Sequence, residues 1–407
     1  TADRSSGHTR YSMLETIRQF AEDQLVASGH TAEVRTRHAR YFAARETDIM
    51  ALWDSPQQRD AYTWFTTELA NLRSAFRWAA DQGDIDTAAT IATYVGLLGV
   101  CVQTLEPITW AEELIERACT VDHPRLAFLY VIASQCWVVG RIEKAIGYAD
   151  VSQPVIGSSR DVPVGLEGVL GNVYTSIGQP ERGVEWCRAQ LTRGRDTHTI
   201  TRACLVIALA VAGAGEEARL AASGLIEAAE ATHNPFAFST ALYAYSWPFR
   251  DVDPVHALTA LRRGLVIAQE SDNRYAESSL ATGLSRLEAE QGDPLAALDH
   301  ITLAVRNYYD SGNVTPLHSA LATLAVFLAR HGRPEPAAAI ARFAFSPITA
   351  SMVPQLGTVI TDLREVLSGQ TYELLASKGA AMSTAEMVAY ALDQIDQARA
   401  ELTTVSE

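Results

Sequence analysis

Seven short breaks, at Gly83, Gly140, Gly178, Gly215, Asp253, Gly292 and Gly332, recur along this 407-residue chain, each followed within five residues by a small side chain. After a first interval of 57 residues the spacings are 38, 37, 38, 39 and 40. A near-constant period in this range marks one supersecondary unit copied in series. Such a unit cannot bury its apolar face alone and must stack on its neighbours. The chain is also too long for a single ordinary core. With 48% hydrophobic residues, abundant alanine and few runs of Val, Ile and Thr, it favours closely packed helices over strands.

Each unit reads as helix A, a tight turn, helix B and a connecting turn, with small residues where the helices cross. Around Gly332 the pattern is Leu321, Leu324, Ala325 and Leu328, then Ala337, Ala341 and Ala344. Around Gly178 it is Leu170, Gly171 and Tyr174, then Gly183; around Gly292 it is Leu284 and Ser285, then Ala297, Ile301 and Ala304. Around Gly140 it is Leu129, Ile132 and Ala133, then Ala145 and Ala149. The arrangement resembles the tetratricopeptide repeat, in a divergent form with a period nearer 38 than 34. The fold class expected is all-α, a right-handed superhelical solenoid of antiparallel helix pairs. The long first interval leaves room for an irregular extra pair, at 85–103 and 106–121.

The ends depart from the period. Residues 1–13 carry Ser5-Ser6-Gly7, a turn signal between two short strands. A helical stripe of Leu14, Ile17, Phe20 or Ala21 and Leu25 follows, closed by Gly29. Val34, His38, Tyr41 and Phe42 share a face of the next helix, and Ser55-Pro56 suits the start of another. Towards the other end, Pro347, Pro354 and Gly369 divide residues 346–379 into short helices. Ser383 and Glu386 form a capping box, and the stripe of Met387, Val388, Ala391, Leu392 and Ile395 would cover the last repeat.

Two junctions carry a closer resemblance. Arg10-Tyr11, then Met13 to Ala21, followed by Arg37-His38-Ala39 and Tyr41-Phe42, resembles a junction in bacterial LuxR- and AfsR-type signalling NTPases (STAND proteins), especially actinobacterial ones. There it marks the end of a winged-helix domain. The set Trp64, Glu68, Asn71-Leu72-Arg73 and Trp78 is similar to the first array helix of the same proteins. Lys378-Gly379, Met382-Ser383, Glu386 and Val388 to Leu392 resembles the segment that ends the array. The resemblance implies residues 1–30 as the end of a winged-helix and linker region and 31–83 as lead-in helices with the first repeat. Residues 84–345 would be the array and 346–407 irregular capping helices. The chain opens Thr1-Ala2-Asp3 without an initiator methionine or signal peptide, which we read as a piece of a longer protein.

Composition narrows the partners. A net charge of −15 argues against direct nucleic-acid contact, and no apolar run of 18 residues exists to span a membrane. Cys101, Cys119, Cys136, Cys187 and Cys204 match no zinc or redox spacing and read as reduced core thiols of a cytoplasmic protein. No phosphate loop, nucleophile elbow or His-Glu-x-x-His is present, so we expect no catalytic residue, metal or cofactor here. His198, His233, His256, His300, His318 and His331 lack liganding partners at helical spacing. Glu112-Glu113 and Glu216-Glu217 sit near helix starts, where they offset the dipole. Arg35, Arg37 and Arg40 read as a solvated face or a contact to an NTPase domain.

By the tetratricopeptide register, helix A lines the concave groove through Tyr130, Ser134 and Trp137 in one unit and Asn172 and Thr175 in the next. Arg202, Tyr243, Trp247, Arg250, Arg286 and Glu290 continue that wall. Rings interleaved with arginine and asparagine suit a peptide or a small polar inducer. The function expected is a non-catalytic sensor or protein-interaction arm that modulates an attached switch domain. A carbohydrate-active α/α enzyme is an alternative and would need two acids facing one cleft, where this wall offers only Glu290. A purely structural oligomerisation scaffold is a third reading.

Overall fold

The computed structural model describes residues 2–3, 10–11, 13–158 and 162–406. Two short strands, β1 (Ala2–Asp3) and β2 (Arg10–Tyr11), pair antiparallel. Everything else that is regular among the described residues is helical. Helices α1 (Glu15–Ser28), α2 (Thr31–Ala44), α3 (Glu46–Trp53) and α4 (Gln58–Gln82) lead in. Contrary to the sequence reading, α4 starts two residues after Ser55-Pro56. The Ser55 hydroxyl instead closes the turn, donating to the Leu52 carbonyl and accepting from the Gln57 N–H. The α1 stripe buries nothing, and Leu14, Ile17 and Phe20 all face solvent. On α2 only Phe42 of the expected face is buried, while Val34 and Tyr41 are exposed.

The array follows as hairpins: α5 (Ile85–Cys101) with α6 (Glu106–Thr120), then α7 (Leu126–Ser134) with α8 (Ile142–Ser158). Next come α9 (Val169–Ser176) with α10 (Pro180–Leu191), and α11 (Ile200–Val211) with the short α12 (Gly215–Ala222) and α13 (Leu225–Glu230). Then α14 (Pro235–Phe249) pairs with α15 (Pro254–Glu270), α16 (Arg274–Gln291) with α17 (Pro294–Ser311), and α18 (Val314–Arg330) with α19 (Pro334–Ala344). Single 3-10 turns extend α7 and precede α9.

The turn chemistry explains the breaks. At Gly292-Asp293-Pro294 the glycine adopts φ +91° and ends α16, the Asp293 carboxylate accepts from the Ala296 N–H, and the proline fills the first turn of α17. Gly140, Gly178 and Gly332 play the same left-handed part. In the α11–α12 turn that part belongs to Gly213, at φ +81°, and not to Gly215, which opens α12. The fifth rung has no glycine; Asp253 caps α15 directly.

The 57-residue interval has a geometric origin. Helices α5, α7, α9, α11, α14, α16 and α18 face inward, and the later rungs lie in inner-to-outer turns. Gly83 instead joins the outer α4 to the inner α5, half a unit out of phase. The true first rung is Gln103, 37 residues before Gly140, and it holds φ +61° with a side chain attached. Residues 85–103 and 106–121 therefore belong to a regular pair.

Where inner and outer helices cross, there is no room for a side chain. A Cβ on Gly171 would lie 2.4 Å from Cys187 Sγ, and one on Gly183 would lie 2.7 Å from the Gly171 carbonyl oxygen. Buried apolar residues form continuous clusters from Ala39 to Ala237 and from Ala281 to Ala398. Four cysteines are buried and free as expected, whereas Cys119 is exposed.

After the array come α20 (Pro347–Met352), α21 (Gln355–Val366), α22 (Gly369–Ala380) and α23 (Thr384–Ser406). The Ser383–Glu386 box forms in both directions, and Met387, Val388, Ala391 and Ile395 are buried against α17–α19. No helix among the described residues is long and apolar enough to cross a membrane.

Candidate ligand-binding channel

The superhelix winds so tightly that its successive turns touch. Five inner helices (α5, α7, α9, α11 and α14) complete one circuit, and α16 returns alongside α5. Gln58 Nε2 donates to Asn234 Oδ1 at 3.2 Å, 176 residues away in sequence. Gln103 Nε2 donates to Ser278 Oγ at 3.3 Å across 175 residues, and Thr315 Oγ1 donates to the Trp137 carbonyl at 2.7 Å across 178. This near-constant offset is the length of one superhelical turn. The expected concave groove is thereby closed into an inner channel, and Gly178 at the end of α9 lies against Ile348 and Ser351 of α20.

The channel has two chambers of about 90 Å³ each. One is largely apolar, walled by Leu97, Val131, Leu166, Ile200 and Phe236 among others. The other is lined by Trp137, Trp247, Arg286, Thr282, Ser319 and Met352. Asn172, Ile207, Tyr243, Tyr275 and Ser279 belong to both, so the two spaces are continuous. Among the described residues, the only charged one lining either chamber is Arg286.

Arg286 is set on α16 so that its guanidinium lies 5.7 Å from the centre of the Trp247 ring, and Arg250 approaches the same ring at 5.1 Å. Two cations beside one indole gain from its π face, but they repel each other. Burial first, and then Arg250, push the Arg286 pKa down to about 10, so it still carries its charge at neutral pH. Its Nε is sealed from solvent without a hydrogen-bond partner among the described residues, and so is one terminal nitrogen of Arg250. The carboxylates that act on Arg286 are engaged elsewhere: Glu290 with Arg330 at 3.0 Å, and Asp251 with Arg250 at 3.4 Å. A buried donor left without a partner is costly, and it points to a group that can supply an acceptor.

The residues singled out from sequence are thus divided. The structure brings Trp137, Asn172, Tyr243, Trp247 and Arg286 to the channel, with Arg250 behind Trp247. Others lie elsewhere. Tyr130 is wedged between helix pairs, its hydroxyl 3.3 Å from Cys119 Sγ and its ring against Tyr148. Ser134 and Thr175 are fully buried and donate to their own helix, at the Val131 and Gly171 carbonyls. Arg202 donates to the Ala221 and Ser223 carbonyls, closing the end of α12. Glu290 sits at the channel margin in its ion pair. Alternate positions along helix A do not all face one wall, because these helices also bury a flank against the neighbouring pair. The sequence reading missed Gln103, Tyr275, Ser279 and Thr315; only the position of Gln103 on the ladder could have marked it.

A wider cleft of about 550 Å³ opens on the outer surface near Glu46, Asp86, His123 and Arg125. Its charges pair with one another, Arg125 with Glu46 at 2.6 Å and His123 with Asp86 at 2.9 Å. The paired acids Glu112, Glu113 and Glu217 likewise hold Arg141, Arg77 and Arg188.

No protein-family model matches the chain. Over 92 residues, 23% of its length, it is 38% identical to putative HTH-type transcriptional regulators of Mycobacterium bovis and Mycobacterium tuberculosis. The match spans 10% of the length of those relatives. Among solved structures it is similar to a Rap protein complexed with competence and sporulation factor, at 13% identity, 89% of this chain, 99% of that one and a TM-score of 0.48. It is also similar to a signal transduction ATPase with numerous domains and a tetratricopeptide repeat sensor from Pyrococcus horikoshii. There the identity is 13%, coverage 86% of this chain and 54% of that one, and the TM-score 0.40.

Proposed function

We propose that this chain is a non-catalytic sensor arm of a longer regulator, taking a ligand in its inner channel and modulating an attached switch domain. The observation that carries the reading is the closure of the superhelix on itself. A molecule in the channel touches α7 and α9 from one turn and α16 and α18 from the next, so occupancy changes how firmly the turns are held together. The local match to transcriptional regulators supports a place in a larger regulatory protein. No Asp or Glu among the described residues lines either chamber, which speaks against a glycosidase-like pair.

Hydrogen–deuterium exchange with a library of small metabolites tests this. A true ligand should slow exchange at residues 97–103 and 275–286 together, because those segments belong to different turns. If every compound leaves both segments unchanged, the sensor reading is wrong.

A further inference from the structure

We propose that the channel takes a monocarboxylate with an apolar body, its carboxylate on Arg286 above Trp247 and its body in the chamber walled by Leu97, Val131, Ile207 and Phe236. This rests on the sensor reading above and names the ligand class of that same site.

The head group follows from charge. Among the described residues, Arg286 is the only ionised side chain facing a channel otherwise lined by apolar, hydroxyl and amide groups. Its Nε has no acceptor among the described residues, and the nearby acids are committed to Arg330 and Arg250. A planar guanidinium is matched by a planar carboxylate, which accepts two parallel N–H bonds and neutralises the charge. A neutral head would leave the buried charge uncompensated. A phosphate dianion would bring two charges to one channel-lining cation, with no glycine-rich loop or lysine at hand.

The tail follows from what adjoins the head. From Arg286 the space runs past Tyr243, Ser279 and Asn172 into a chamber whose walls are aliphatic and aromatic. Water there would find few partners, and displacing it with hydrocarbon is favourable. Chambers of about 90 Å³ admit a small amphiphile. Met352 of α20 lines the polar chamber, so the tail points away from that helix.

Isothermal titration calorimetry on the whole chain tests the assignment, with octanoate, decanoate and phenylacetate as carboxylates, 1-octanol as the neutral analogue and inorganic phosphate as the bare anion. At least one carboxylate should bind ten times more tightly than 1-octanol, and phosphate should not bind measurably. Arg286→Gln should weaken that carboxylate at least tenfold and leave 1-octanol unchanged, with Arg286→Lys falling between. Thermal unfolding of both variants verifies that they are folded. Equal affinity for acid and alcohol, tight phosphate binding, or indifference to Arg286→Gln would overturn the proposal. If a different compound protects both turns from exchange and is insensitive to Arg286→Gln, the carboxylate assignment fails while the sensor reading stands.

Discussion

Gln103 and Ser278, 175 residues apart in the chain, are joined side chain to side chain at 3.3 Å. Ser311 Oγ donates to the other end of the same amide at 3.2 Å. The glutamine that fills a glycine rung on the ladder is thus a bolt between two turns of the superhelix. It accepts a left-handed backbone, a strain of about 1–2 kcal/mol for a residue with a Cβ, in exchange for bonds that glycine could not make.

Replacing Gln103 separates these effects. Gln103→Ala loses the buried bonds and keeps the strain, and should cost about 2–3 kcal/mol. Gln103→Gly also loses the bonds but relaxes the backbone, and should be less damaging by about 1 kcal/mol. Urea unfolding of the two variants reads the difference, and an alanine variant no less stable than the glycine one would refute the strain.

Close approach of helices makes a second contrast. A Cβ on Gly379 of α22 would lie 2.1 Å from the Ala339 carbonyl oxygen of α19, whereas Gly357 in α21 has nothing within 4 Å. Gly379→Ala should destabilise by about 1–3 kcal/mol through overpacking. Gly357→Ala should stabilise by about 0.5–1 kcal/mol through helix propensity alone. Denaturant midpoints measured side by side check the opposite signs.

Stability should fall in mild acid. Burial holds His318 below its ordinary histidine pKa, with its ring 5.1 Å from that of Phe343, and burial likewise lowers His38 despite the opposing pull of Glu68. The unfolded chain therefore takes up these protons at higher pH than the folded one. The stabilisation is complete above the unfolded value near 6.5 and is lost as pH drops through the lower folded values. Melting temperatures between pH 7.5 and 5 should decline, and His318→Phe should flatten the slope.

Arg286 is expected to cost the empty protein stability. Its Nε is sealed from solvent without an acceptor among the described residues, so Arg286→Met should raise the unfolding free energy by about 1–3 kcal/mol in the absence of ligand. The folded pKa of about 10 lies below the ordinary arginine value, so the wild-type penalty applies in full below 10 and lifts as pH climbs from there towards that ordinary value. A methionine variant less stable than wild type at neutral pH would show that the guanidinium has a partner.

Much of this was legible in the residues. Gly292-Asp293-Pro294 announces a helix end, a cap and a helix start within three letters, because each needs a backbone that few residues adopt. Gly171 and Gly183 signal a crossing because a side chain there would hold the helices apart, and Ser383–Glu386 signals a cap. The inner wall was less legible. Tyr130, Thr175 and Arg202 look like Tyr243, Asn172 and Arg286 in sequence, yet the first three spend their polar atoms inside the fold and the last three reach the channel.

Local sequence determined the helices, their turns and their serial order, since capping, left-handed glycine and apolar periodicity act over a few residues. The winding of the array was decided only in three dimensions. Small rotations between pairs accumulate over five units until Gln103 meets Ser278 and Trp137 meets Thr315, and no short stretch of chain encodes that sum. The placing of Arg286 in the channel is a product of the same closure.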